Sequence, residues 1–318
     1  MRRLFVTRAF QPVLEALEVE GRSHGLKTNG ASSLNTPGLR MLVISPTPAR
    51  RQAMDGQTCT EDFVIELFCR IDTAIVGLVK HPQASLWPSE IVTLAILFVL
   101  KGRSERAFYR WAQRDLRKLF PKLPERTRLF RLFATHQDWA QRFLASPTFF
   151  GVADSFGIEL LQTRRLGRSP QQVARRGFCA GRWIAGIKLG WVINAQGQVC
   201  AWDAAGANVY DANAFAHLIE GFREQMIVLA DCNFHKSLFH RKDDPDPPNL
   251  KVCPRNAWNH RRLIETVLSM LQAVCSLKRL TERAWPYVRA HLGFVAAAFN
   301  LLTSWDGVPK MSLARFSL

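Results

Sequence analysis

Thr148–Phe156 reads TFFGVADSF, and it is where the chain changes period. Apolar residues recur at helical spacing up to Leu144; here they alternate, which puts Phe150, Val152 and Asp154 on one face of a strand. Downstream, MIVLAD over Met226–Asp231 is an uninterrupted apolar run ending in an acid, the pattern of a strand buried on both faces. Each strand thus carries an aspartate where burial of a charge is costly unless something offsets it.

Working outward, Leu160–Thr163 reads as a short strand, followed by the basic segment RRLGRSPQQVARRG. That segment reads as a loop bearing Arg164, Arg165, Arg168, Arg175 and Arg176. Two readings are open for it, a solvated loop or a phosphate-contacting one, since Arg forks suit phosphate. Trp183–Asn194 and Gln198–Trp202 form a hairpin around Ala195-Gln196-Gly197. Asn213–Arg223 is helical, Asn233–Phe239 a short helix, RKDDPDPPN a surface loop, and Leu250–Cys253 a last strand.

Trp258–Lys278, WNHRRLIETVLSMLQAVCSLK, is an amphipathic helix with Ile264, Val267, Leu268, Leu271 and Val274 on its apolar stripe. Glu265 flanks that stripe one turn beyond Arg261, and Trp258, Glu265 and Gln272 share one side because seven residues are close to two turns. An ordinary i,i+4 ion pair and a deliberately placed carboxylate are both open readings. Trp285–Leu302 is a final apolar helix.

Upstream, Glu61–Lys80, Pro88–Lys101, a segment from Ser104, and ERTRLFRLFATH read as helices, with Pro88 in a first turn and Gly102 as a stop. The last of these carries Arg126, Arg128 and Arg131. A helix-turn-helix-like DNA-binding module and a helical bundle with a solvated basic face are both open. Residues 1–55 are rich in Gly, Ser, Thr, Asn and Pro without period and are expected to be poorly ordered, or to be a translated upstream extension.

Composition bounds the function. The 318-residue chain is 47% hydrophobic, enough for a real core. Its formal net charge of +17 points to a polyanionic partner. Seven cysteines without a C-x-x-C pair argue against a zinc finger or a disulfide framework and fit a reducing cytosol. No apolar run is long enough to span a bilayer, and no phosphate-binding loop suggests ATP use.

Helices followed by strands and two long helices give an α+β class, with helices packed on a mixed sheet. With Asp154 on one strand, Asp231 ending another and Glu265 on a helix, the chain resembles the DDE transposases of bacterial insertion sequences. The carrying motifs are VADSFGIEL, VLADCNF and WNHRRLIETVLSMLQ. The last is similar to that group's Tyr–Arg–Glu–Lys helix signature: Arg261 and Glu265 match in spacing, while Trp258 stands where Tyr is usual and Gln272 where Lys is usual.

The resemblance implies a ribonuclease-H-like mixed sheet flanked by helices, over residues 147–304, preceded by a small helical domain (56–146) and followed by a tail (305–318). It implies Asp154, Asp231 and Glu265 as catalytic metal ligands for Mg²⁺ or Mn²⁺, two ions in all. It further implies Arg261 and Trp258 as DNA-end contacts. The implied activity is cutting double-stranded DNA at terminal inverted repeats and joining the 3′-hydroxyls to target DNA, by a homodimer acting at the nucleoid in the cytoplasm. A binding-only remnant and a nuclease on the same scaffold are the alternatives.

Overall fold

The computed structural model describes residues 60–77, 79–102, 104–168, 173–235, 245–253, 261–277 and 280–305. The expectation for residues 1–55 lies outside them, as does the tail beyond Trp305. Helices α1 (Thr60–Ala74), α2 (Pro88–Lys101), α3 (Glu105–Asp115) and α4 (Arg126–Thr135) lead through a 3-10 segment, Gln137–Phe143, to the sheet. Helix α1 stops six residues before Lys80, the expected end, and Gly77 in the next turn has φ +90°, a conformation that no helix continues through.

Helix α2 forms for reasons visible in its sequence. Pro88 occupies the first turn, the Trp87 N–H donates to the Glu90 carboxylate at 2.6 Å, and Gly102 at φ +57° closes the end with its N–H on the Phe98 carbonyl. Every residue from Pro88 to Leu100 is buried. A helix apolar all round must be enclosed, and α2 is: α1, α4, α6 (Arg261–Cys275) and α7 (Trp285–Thr303) all pack against it. Phe98 sits at the centre of an aromatic group with Phe108, Phe130 and Phe133.

The sheet comprises β1 (Phe150–Leu161), β2 (Arg175–Cys179), β3 (Arg182–Asn194), β4 (Val199–Gly206), β5 (Ile227–Ala230) and β6 (Leu250–Val252), with α5 (Asp211–Glu220) between β4 and β5. Strand β3 lies antiparallel to β1 on one edge and to β4 and β2, end to end, on the other. Strands β5 and β6 extend the sheet parallel to β1. The order β4-β3-β1-β5-β6 with two antiparallel and two parallel pairings is a mixed, ribonuclease-H-like sheet flanked by helices, the class expected from the motifs.

Two readings of the sequence are corrected here. Leu160–Thr163 is not a separate strand: Leu160 and Leu161 end the twelve-residue β1, which carries a bulge between Glu159 and Leu161. Arg175 and Arg176 are not in a loop but open β2, which turns into β3 through Ala180 and Gly181, both in the left-handed region. A two-residue turn of that kind matches the twist of its flanking strands.

The two faces of the sheet bury different cores. Val152, Ile158, Ile187, Leu189 and Trp191 face a large cluster that also holds Phe63, Leu94, Phe108, Ile264 and Leu292, so the helices before Phe150 and the sheet share one continuous core. Ala153, Val192, Val228 and Ala230 face a smaller one with Phe215 of α5. At the edge, Asp203 of β4 pairs with Arg289 of α7 at 2.8 Å and with His217 of α5 at 3.1 Å, tying a helix on each face to the same strand. Among the described residues no helix is long and apolar enough to cross a membrane.

Candidate active site

The register of β1 against β5 builds the site. Phe150, Gly151 and Val152 stand beside Ile227, Val228 and Leu229. The pairing ends there; continued two residues beyond its last pair, the same register would align Asp154 of β1 with Asp231, which immediately follows β5. Parallel neighbours in register project to the same face. Val152 faces the large core while Ala153 faces the smaller one, so alternation within β1 turns Asp154 toward the large-core side. That is the side on which α6 packs against β1.

Each aspartate is fixed locally. Asp154 is half-buried and accepts from the Ser155 N–H at 2.8 Å. Asp231 caps the 3-10 turn Cys232–Phe234, accepting from the Asn233 N–H at 3.0 Å and from Asn233 Nδ2 at 2.8 Å. A capped turn at a strand end holds the carboxylate at the sheet's rim. His235, one residue past the turn, pairs with Asp246.

Glu265 lies in the first half of α6, beside the fully buried Ile264, and its side chain is exposed. Gln272, two turns on, is exposed as well. Helix α6, which packs on β1, therefore carries Glu265 on the flank of its buried stripe. Among the described residues no group of three or more His, Cys, Asp or Glu side chains is gathered to hold a metal ion. The parallel pairing of β1 with β5 thus leads Asp154 and Asp231 out of neighbouring strands, and among the described residues Glu265 belongs to no group of three such donors. Arg261 begins α6, but its side chain, like Trp258 altogether, lies outside the described residues.

Of the basic residues, Arg164, Arg165 and Arg168 are exposed in the 3-10 turn and bend after β1. Arg175 and Arg176 are exposed on β2. On α4, Arg128 and Arg131 are exposed and Arg126 is half-buried. Sequence reading passed over Trp191, which stands across the β1–β3 ladder from Asp154, is 1% exposed, and has a buried indole N–H without a hydrogen-bond partner among the described residues. It also passed over Asn233, although the spacing Asp-x-Asn is a cap signal. Burial pushes the Cys200 thiol up to about 11 and the Cys275 thiol up to about 12, which disfavours the nucleophilic thiolate at both.

No curated protein and no solved structure gives a significant match to the chain. The family described as Transposase DDE domain matches residues 149–244, a segment that includes Asp154 and Asp231 and ends before Glu265. The match covers β1 to β5, including the two strands that lead to the aspartates. Residues 149–244 are thus similar to the Transposase DDE domain family, in agreement with the insertion-sequence resemblance that the motifs carry.

Proposed function

We propose that the protein is the transposase of an insertion sequence, cutting double-stranded DNA at the element's terminal inverted repeats and joining the freed 3′-hydroxyls to target DNA. The observation that carries this reading is the parallel pairing of β1 with β5, the strands that lead to Asp154 and Asp231, inside the matched domain. Two carboxylates so placed repel each other when both are ionised, and a bound cation offsets that repulsion. Oxygen-only donors suit Mg²⁺ or Mn²⁺ rather than zinc, so the pair fits such an ion. Asp154 and Asp231 would hold it, with Glu265 of α6 as the third donor. Divalent ions at such a site supply a polarised phosphate and an activated water or 3′-hydroxyl for in-line displacement.

The chain's own groups have further tasks in this reading. Arg261 orients Glu265 or meets phosphate, and Trp258 stacks near the cut. Arg164, Arg165, Arg168, Arg175 and Arg176, with Arg126, Arg128 and Arg131, neutralise DNA phosphates, for which a net charge of +17 supplies the long-range attraction. Two ends must be brought together, which calls for a homodimer on DNA, working at the nucleoid in the cytoplasm.

A second reading has one specific observation behind it: among the described residues no group of three or more His, Cys, Asp or Glu side chains is gathered. On that reading the protein binds element ends without cutting them. The experiment uses the purified protein, Mg²⁺ or Mn²⁺, and DNA carrying the inverted repeats that flank its reading frame. The transposase reading expects cleavage with 3′-hydroxyl ends and strand joining. Asp154→Asn and Asp231→Asn should each lower cleavage by on the order of a thousandfold or more while end binding persists. End binding by the intact protein with no cleavage under either metal establishes the binding-only reading instead, and cleavage without joining establishes a nuclease.

A further inference from the structure

The β2–β3 hairpin carries a surface that neither the aspartate pair nor the core requires. Phe178 and Trp183 are paired directly across the ladder and are each 56% exposed, with ring centroids 5.6 Å apart in an edge-to-face arrangement. The Arg176 guanidinium lies over the Trp183 ring, 4.8 Å from its centroid, and makes no ion pair with a carboxylate among the described residues. The turn of Ala180 and Gly181 holds the two strands in this register. A cross-strand aromatic pair stabilises a hairpin to a small extent wherever it sits. Two large rings left more than half exposed beside an unneutralised arginine are a poor choice for that purpose alone.

Position adds direction. Trp183 lies on the same face of β3 as Ile187, Leu189 and Trp191, and Trp191 stands opposite Asp154. Eight residues of strand separate Trp183 from Trp191, about 26 Å at the usual rise. The aromatic pair therefore lies on Asp154's face of the sheet, at the far end of β3.

We infer that this hairpin is a stacking platform for unpaired DNA bases, with Arg176 meeting the adjoining phosphate. That the ligand is DNA rests on the transposase reading. That its bases are unpaired rests on the rings, since a base within a duplex is already stacked on its neighbours, whereas an unpaired one gains a π-face. The complementary charge comes from Arg176 and from Arg164, Arg165 and Arg168, all exposed on the stretch between β1 and β3.

The test uses the full chain without divalent metal, so that its outcome is independent of cleavage. Binding of a labelled single-stranded oligonucleotide of about 12 nucleotides, and of the matching duplex, is followed by fluorescence anisotropy. Trp183→Ala should weaken single-strand binding about tenfold and duplex binding by less than about twofold, while Trp183→Phe retains most of the affinity. If Trp183→Ala does not fold, as judged by circular dichroism, Trp183→Leu keeps the apolar contact without the aromatic face and takes its place. Unchanged single-strand affinity, or equal loss on both ligands, overturns the inference. So does loss of self-association in light scattering with oligonucleotide affinity intact, which would assign the patch to a second copy of the chain. Failure of the aspartate variants to change cleavage would bear on the transposase reading and leave this measurement standing.

Discussion

Glu282 and His291 form the most enclosed ionic contact described in the molecule, Glu282 Oε1 to His291 Nδ1 at 2.8 Å, within the aromatic core beside Phe98. Burial pushes the Glu282 carboxyl up, but the His291 charge, its hydrogen bond and the backbone N–H groups more than offset this and hold it below the usual carboxylate range. A carboxyl depressed in the folded state contributes stability that is present above its unfolded pKa and lost as pH falls through the folded one. Glu282→Gln should therefore lower stability by about 1–3 kcal/mol near neutrality. Urea unfolding at a series of pH values should show the gap between variant and native protein closing as pH falls below the ordinary carboxylate value of 4.5. A gap independent of pH would mean the pair acts through shape, not charge. The same scale marks a limit of reading residues from sequence. Asp154 and Asp231 stood out because acids are unusual in buried strands, whereas Glu282 is one acid in a polar stretch and nothing local marks it as buried.

Among elements, α7 and β4 are joined by the Asn300 amide as well as by the Asp203–Arg289 pair. Asn300 is buried; its Nδ2 donates to the Phe143 and Val199 carbonyls at 2.9 and 2.8 Å, and its Oδ1 accepts from the Val199 N–H at 2.8 Å. Asn300→Ala leaves buried backbone groups without partners and should cost about 2–3 kcal/mol, measured by chemical denaturation. Gly186 of β3 is the corresponding backbone constraint. A Cβ there would lie 1.9 Å from the Ile158 carbonyl oxygen, so Gly186→Ala must displace β1 from β3 and should destabilise by about 3 kcal/mol or more. Elements with strong local signals were legible: α2 from Pro88 to its Gly102 stop, β5 from its apolar run, and α7 from its length. The β2–β3 hairpin was not, because Arg175 and Arg176 read as loop residues, and their strand exists only because β3 offers Ala185 and Gly186 as ladder partners.

At the scale of the molecule, the large core joins α1, α2, α3 and α4 to β1, β3, α6 and α7 without a seam. Elements that bury their apolar faces against one another unfold together. Far-ultraviolet circular dichroism and tryptophan fluorescence should accordingly report one coincident transition for the helices before Phe150 and the sheet. Two separated transitions would show that the helical segment is stable alone. The sequence by itself determined the α+β class, the kinds of element, the basic charge and the two acids placed on strands, because periodicity and composition are local properties that no fold is needed to read. Tertiary structure alone decided that β1 and β5, the strands leading to Asp154 and Asp231, pair in parallel, that Glu265 sits on the exposed flank of α6, and that an aromatic pair projects from the hairpin. Register and facing are set by pairing between segments distant in the chain, and a slip of one residue would turn every side chain of a strand to the opposite face.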